Sequence, residues 1–339
     1  MAYKIKKGRL IIAIGIFTAV FTLMLIAFIA IALRIKKPEQ SSKSSEVVTT
    51  EAETAEVATT SVTTTEAVTT TETVTTIAHI DDIYCNSAVL YSMGGKKLLY
   101  EDKINEKYAP ASLTKLLTAA VALKYVNAEA VFPVGSEQAL VHGGSSLCGL
   151  VVGDEVTLKD LVAGLLMSSG NDAAYTIAVS TARAHSLNPD MTDSEAVEYF
   201  CGMMNNFAEF LGMKNSHFTT PDGWDDADQY VTAADLILLT EYALSVPEIS
   251  EVVGVHSKEA EISSGRILSW ENSNALLDPM SPYYTEGVLG VKTGTTDLAG
   301  NNLITVYKKN RRTYIAVVLG CDTDDERYML TKELLSYCE

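Results

Sequence analysis

The sequence predicts an α+β fold, with one antiparallel sheet built from both ends of the folded region and helices packed around it. Three observations lead there. Two short strand-like runs around Gly94-Gly95 open the region, two more around a basic turn come near its end, and helical periodicity lies between them.

The folded region does not begin at the first residue. Residues 1–9 form a short basic tail, with Lys4, Lys6, Lys7 and Arg9. Leu10 to Leu33 then carries no charge and is almost wholly apolar, long enough for the ~20 residues that cross a bilayer core. It also exceeds the ~7–15 apolar residues of a usual signal peptide, so an uncleaved transmembrane signal-anchor is expected over 10–33 despite the small residues at Ala30 and Ala32. The bases before it slightly outnumber Arg34, Lys36 and Lys37 after it, which favours residues 1–9 inside the cell and the remainder outside. Residues 34–79 read as a disordered stalk. Half of the positions from Thr49 to Thr76 are threonine and the rest are Glu, Ala, Val and Ser, so there is too little apolar surface to fold. Residues 80–339 remain as one domain with a substantial core.

Within that domain, Ser87–Met93 and Lys96–Glu101 flank the Gly-Gly turn as a hairpin. Leu113, Leu116, Leu117, Ala120 and Val121 have the spacing of an amphipathic helix over Leu113–Val126. Leu158–Met167 and Asp172–Ala182 read as two helices broken by Ser168-Ser-Gly-Asn171, and Gly287–Val291 as an edge strand. Leu303–Tyr307 and Tyr314–Leu319 pair around Lys308–Arg312, and Asp324–Tyr337 closes the chain as a helix.

Charge narrows the function. The formal net charge is −17, while residues 1–37 carry seven bases and no acid, which leaves −24 on the rest. A surface of that sign excludes nucleic acid as a partner and disfavours a domain lying on anionic lipid. The five cysteines and five histidines are scattered without metal-ligand spacing, so no metal is expected, and buried structural thiols are the default.

Three short segments carry the chemistry. In Ser112-Leu-Thr-Lys115 a hydroxyl precedes a helix, where unpaired N–H groups and the dipole favour developing negative charge, and an amine three residues on shares its face. A desolvated lysine near other cations loses proton affinity and can serve as the base that activates serine. Taken alone, a serine helix cap followed by a solvated lysine would look the same. Ser169-Gly-Asn171 alone reads as turn and capping chemistry, and Lys292-Thr-Gly294 alone as strand-end residues in a turn.

In that order, the three resemble the S-x-x-K, S-x-N and K-T-G elements of the penicillin-recognising serine enzymes. The flanking sequence narrows the likeness. Tyr108-Ala-Pro-Ala-Ser-Leu-Thr-Lys115, Leu165-Leu-Met-Ser-Ser-Gly-Asn-Asp-Ala-Ala174, His217-Phe-Thr-Thr-Pro-Asp-Gly223, Thr232-Ala-Ala-Asp235, Asn272-Ser-Asn-Ala-Leu-Leu277 and Gly290-Val-Lys-Thr-Gly-Thr-Thr-Asp297 are similar to segments of the D-alanyl-D-alanine carboxypeptidases, the low-molecular-mass penicillin-binding proteins. The resemblance covers residues 82–339.

It implies a β-lactamase/transpeptidase-like fold, a peptidoglycan stem pentapeptide as substrate, β-lactams as covalent inhibitors, and no cofactor. Ser112 would attack the penultimate D-alanine carbonyl, with Lys115 taking its proton and Ser169 relaying a proton to the leaving amine. Asn171 would orient the substrate amide and Lys115. Lys292, Thr293 and Gly294 would face the terminal carboxylate, the amides of Ser112 and Thr295 would form the oxyanion hole, and Arg327 would stand as a further arginine toward the carboxylate. The chain departs from the family in having Asn301 where an aromatic often follows the Ala-Gly after the third motif. It also ends at Glu339, where many members continue into a second β-rich domain and a C-terminal anchor. Two other readings compete. A serine β-lactamase shares the first motif, but no E-x-x-L-N segment lies between Asn171 and Lys292. A tethered sensor that acylates without turnover would lack any separate signalling domain in this chain. A Ser-His-Asp hydrolase would need a G-x-S-x-G elbow, which is absent.

Overall fold

The computed structural model describes residues 85–339; the tail, the apolar run over 10–33 and the threonine-rich segment lie outside them. Among the described residues no helix is long and apolar enough to cross a membrane.

The strands are β1 (Ser87–Ser92), β2 (Lys97–Asp102), β3 (Val131–Pro133), β4 (Glu155–Thr157), β5 (Ser257–Glu261), β6 (Ile267–Glu271), β7 (Val288–Thr296), β8 (Gly300–Lys309) and β9 (Arg312–Cys321). The helices are α1 (Thr114–Tyr125), α2 (Leu158–Met167), α3 (Asn171–Ser186), α4 (Asp193–Leu211), α5 (Ala233–Leu244), α6 (Pro247–Val253) and α7 (Asp324–Ser336). Five strands form the main sheet in the order β2-β1-β9-β8-β7, all antiparallel, so the expected sheet from both ends is present. The pairs β3–β4 and β5–β6 are separate two-stranded ribbons.

Side chains alternate across the sheet, and both faces are covered. Val89, Ile304, Val306, Ile315, Val317 and Leu319 point into the larger core with α1 to α6, while Ala88, Leu90, Leu303, Tyr314, Ala316 and Val318 pack beneath α7. A strand buried on both faces reads as an unbroken apolar run, which is why Tyr314–Leu319 stands out in the sequence. Thr157, Thr192, Thr232 and Thr323 cap α2, α4, α5 and α7, and those at α4 and α7 form complete capping boxes with Glu195 and Glu326.

Two local expectations are revised. The Leu113–Val126 helix begins as a 3-10 turn over Ala111–Leu113, and α1 proper is not amphipathic: every residue from Thr114 to Ala122 is buried. It is the central helix of the domain, surrounded by α2, α3, α4 and α5, so no face is left for solvent. Lys292-Thr-Gly294 is not a strand-end turn but lies within β7, paired with Ile304, Leu303 and Asn302 of β8.

Candidate active site

The α1 end of the site is fixed by its backbone. Ala111 adopts φ 49° immediately before Ser112, a conformation unfavourable for a residue with a Cβ. Its carbonyl is packed against Gly223, where an added Cβ would come within 1.8 Å of the Ala111 oxygen at φ +87°. Only glycine fits there. The buried Asn302 side chain of β8 donates to the carbonyls of Ala109, at 3.0 Å, and Pro110, at 3.1 Å, and accepts from the Gly320 amide at 2.7 Å. The sheet therefore holds the segment that presents Ser112.

Strand β7 passes directly against this turn. A Cβ on Gly294 would lie 3.1 Å from both the Ser112 nitrogen and the Pro110 oxygen, so the glycine of the third motif permits the close approach of strand and nucleophile.

Lys115 is wholly buried, and its Nζ lies 2.8 Å from Ser112 Oγ. It also donates to the Asp222 main-chain oxygen at 2.6 Å. Burial lowers its pKa to about 8, against the opposing negative charges of Asp222 and Asp172. An amine with that affinity keeps a neutral fraction of roughly a tenth at pH 7, rising to half near its pKa, and that fraction can serve as the base for a serine hydroxyl.

Asp222 joins two motifs. Its carboxylate accepts from Asn171 Nδ2 at 2.7 Å and from the Trp224 amide at 3.1 Å, and the same Nδ2 also donates to Ser145 Oγ at 2.9 Å. Asn171 thus reaches Lys115 through Asp222; no direct bond joins the two among the described residues. Ser169 is buried at φ 58° in the break between α2 and α3, the second unfavourable backbone position within the motifs. Next to it, the Asp172 carboxylate accepts from the amides of Cys148, Gly149, Leu150 and Ala173. That carboxylate fastens the loop carrying Ser145 to the start of α3.

On β7, Lys292 is buried and its Nζ donates to the Thr293 carbonyl at 3.0 Å. Burial, then the charges of Lys115 and Arg327, hold its pKa well below the usual lysine value. A buried amine beside two other basic groups is a place where an anion would be favoured. Thr293 Oγ1 is 2.7 Å from Ser273 Oγ. Arg327, on α7, is buried behind the same strand: its Nη1 donates to Thr295 Oγ1 at 3.0 Å and to the Gly294 oxygen at 3.4 Å, and its guanidinium pairs with Asp324. Its bonds engage the strand itself.

The structure thus brings Ser112 to Lys115, Lys115 and Asn171 to Asp222, and the Gly294–Thr295 segment to Ser112 and Arg327. Asp222, Ser145, Ser273 and Asn302 were not assigned from sequence. Pro221-Asp-Gly223 is a recognisable turn, and Asn272-Ser-Asn274 a turn-rich segment, but neither announces its partner, Lys115 for Asp222 and Thr293 for Ser273.

Comparison with known proteins gives the family. The sequence model of the family described as D-alanyl-D-alanine carboxypeptidase matches residues 72–323. D-alanyl-D-alanine carboxypeptidase DacC of Escherichia coli is 33% identical over 258 residues, covering 74% of this chain and 60% of that protein. DacF of Bacillus subtilis is 31% identical over 255 residues, covering 74% and 61%. The chain therefore spans about three fifths of the length of these curated relatives. The solved structure of a Streptomyces DD-transpeptidase superposes with a TM-score of 0.67 at 28% identity, covering 75% of this chain and 97% of that one. The fold is accordingly of the β-lactamase/transpeptidase-like type. A model of one family running through almost the whole described domain, together with its motifs converging on Ser112, establishes that this chain belongs to the D-alanyl-D-alanine carboxypeptidase family.

Proposed function

We propose that this chain is a serine-type D,D-carboxypeptidase that removes the terminal D-alanine from peptidoglycan stem peptides through an acyl-enzyme on Ser112. The observation that carries the reading is the 2.8 Å approach of a buried, low-affinity Lys115 amine to Ser112 Oγ beneath the Lys292–Thr293 strand. Lys115 takes the Ser112 proton as the oxygen attacks the penultimate D-alanine carbonyl. The resulting oxyanion is met by the main-chain amides of Ser112 and Thr295, a kind of contact worth ~3–4 kcal/mol per donor. Ser169 passes a proton to the departing D-alanine nitrogen. Lys292 and Thr293 receive the terminal carboxylate, whose charge restores the proton affinity that burial removes from Lys292. Arg327 adds positive potential from behind the strand and holds its shape through Gly294 and Thr295.

Water then releases the shortened peptide and regenerates Ser112. An amine acceptor would give transpeptidation from the same acyl-enzyme, a reading supported by the name of the Streptomyces structural neighbour. β-Lactams, with a strained amide and a carboxylate in similar relation, acylate the same serine. Residues 10–33 anchor the protein in the cell membrane and residues 34–79 hold the catalytic domain outside, where stem peptides are found. Support for this placement comes from the length of the apolar run and the basic residues before it.

Intact-mass analysis after benzylpenicillin, with the adduct mapped by digestion, tests the assignment. A single adduct on the peptide containing Ser112, lost in Ser112→Ala together with D-alanine release from a pentapeptide ending in D-Ala-D-Ala, is the expected result. An adduct on another residue, or D-alanine release that survives Ser112→Ala, overturns it. Rapid penicillin hydrolysis would point to a lactamase, and a stable adduct without D-alanine release to a sensor. Adding an amine acceptor separates hydrolysis from transfer.

A further inference from the structure

Away from the catalytic centre, two of the five cysteines lie at the junction of the first and last strands of the sheet. The β1–β9 register reaches Ser87 opposite Leu319, and the Asn86 amide donates to the Leu319 oxygen at 2.8 Å. The Asn86 side chain covers Gly320, where a Cβ would fall 2.2 Å from Nδ2. Gly320, at φ 67°, bulges β9 at this point, and Cys85 and Cys321 flank the contact between Asn86 and Gly320. Both pack in the small core beneath α7. A disulfide bridges Cα atoms roughly 4.4–6.8 Å apart, a span that residues across two adjacent strands can meet.

We propose that Cys85 and Cys321 are a disulfide-forming pair, closed by thiol–disulfide exchange with a low-molecular-mass disulfide, that covalently joins the start of the domain to the end of β9. The two members are suited to different steps. Cys85 is half-buried and reachable from solvent, whereas Cys321 is completely buried. The neighbouring Cys321 thiol holds the Cys85 thiol below its ordinary range, against burial, while Cys85 and burial raise Cys321. Cys85 is therefore the attacking thiolate. Its sulfur attacks one sulfur of the small disulfide RSSR, and a first RS⁻ leaves and takes up the Cys85 proton. Cys321 then loses its proton and attacks the Cys85 sulfur of the mixed disulfide, expelling a second RS⁻ that takes up that proton. Two protein thiols are oxidised to one disulfide, and RSSR is reduced to two RSH.

The position has a structural consequence near the site. The Cys321 main-chain oxygen accepts from Asn301 Nδ2 at 3.2 Å, and Asn301 Oδ1 accepts from Thr295 Oγ1 at 3.1 Å. The bridge would thus secure the end of β9 that supports the β7–β8 turn.

The full-length chain is incubated with oxidised glutathione, blocked with iodoacetamide and digested without reduction. The expected product is one linked pair of peptides containing Cys85 and Cys321, two hydrogens lighter than the dithiol form. Because the bridge closes a long loop, Tm should rise by about 5 °C or more over the dithiothreitol-treated protein. Cys85→Ser should abolish both the link and the rise, and its mild replacement of a half-buried thiol leaves the fold intact. Glutathione retained on Cys85 with Cys321 still open to alkylation after unfolding, a link through Cys338 or another thiol, or no linked peptide would each overturn the proposal.

Discussion

Replacing Lys115 by methionine should stabilise the domain while abolishing acylation. Lys115 is wholly buried, and its pKa in the fold is about 8 against the ordinary lysine value of 10.5. In the unfolded chain the amine regains its normal affinity, so between those two values the unfolded state binds more protons than the folded state. The burden of burying this amine is therefore fully present below the folded value, diminishes as pH rises through the interval, and is gone above the unfolded value. At about 1.4 kcal/mol for each pH unit, the drop from 10.5 to about 8 amounts to roughly 3 kcal/mol near pH 7. Methionine has a similar length and no charge, but it leaves the Asp222 carbonyl without the Lys115 donor, a loss of about 1–2 kcal/mol. The net gain should be about 1–2 kcal/mol at pH 7 and should shrink or reverse by about pH 10.5. Urea unfolding of wild type and Lys115→Met at pH 7, 9 and 10.5 measures it directly, and penicillin labelling should fall at least 10²-fold. A variant less stable than wild type at pH 7, or a difference that does not change with pH, would refute the account of Lys115 as an amine whose proton affinity burial lowers.

Asp222→Asn keeps an acceptor for Asn171 but removes a negative charge near the Lys115 amine. At an effective dielectric of about 20, a charge within several ångströms is worth roughly 2–4 kcal/mol. The rising limb of the pH–acylation profile should move down by about 1–2 pH units; because Lys292 is coupled to Lys115, the displacement of the whole limb is what is read. An unmoved or raised limb counts against the charge of Asp222. Gly223→Ala forces a Cβ into the Ala111 carbonyl at a positive φ and should lower stability by about 3 kcal/mol or more, measured by thermal unfolding. Asn302→Leu strands the Ala109 and Pro110 carbonyls and the Gly320 amide. It should lower stability by about 3 kcal/mol and slow acylation about 10-fold by loosening the turn at Ser112, whereas unchanged acylation would deny that turn its positioning role.

The sequence carried the elements whose signals are local. Gly94-Gly95 marks the β1–β2 turn, and Leu158–Met167 has both its helical bounds where periodicity puts them. Capping boxes at Thr192 and Thr323 and the left-handed Gly212 delimit α4 and α7 by the same local chemistry, although α4 did not emerge from apolar spacing. Periodicity misdescribed α1 because a helix enclosed by other helices buries its threonines and its lysine as completely as its leucines. Lys292-Thr-Gly294 resembled a turn because small and polar residues in a strand normally signal one; here they meet the nucleophile rather than solvent. In the site, the short-range pair Ser112–Lys115 was legible from its three-residue spacing. The Asp222 carbonyl, 107 positions from Lys115, was not, since a backbone acceptor has no residue type to betray it.

The pairing of β1 with β9 also governs how the domain can be made. A hairpin over residues 87–102 has no lateral partner until the chain has been synthesised through residue 321, so the sheet is among the last parts to close. Until then β7 has no completed sheet behind it, and Ser112 lacks the strand against which it is set. The newly emerged polypeptide should consequently pass through a stage with its helices formed and its strand edges open, catalytically inert and susceptible to proteolysis, and gain activity only as its final hundred residues settle.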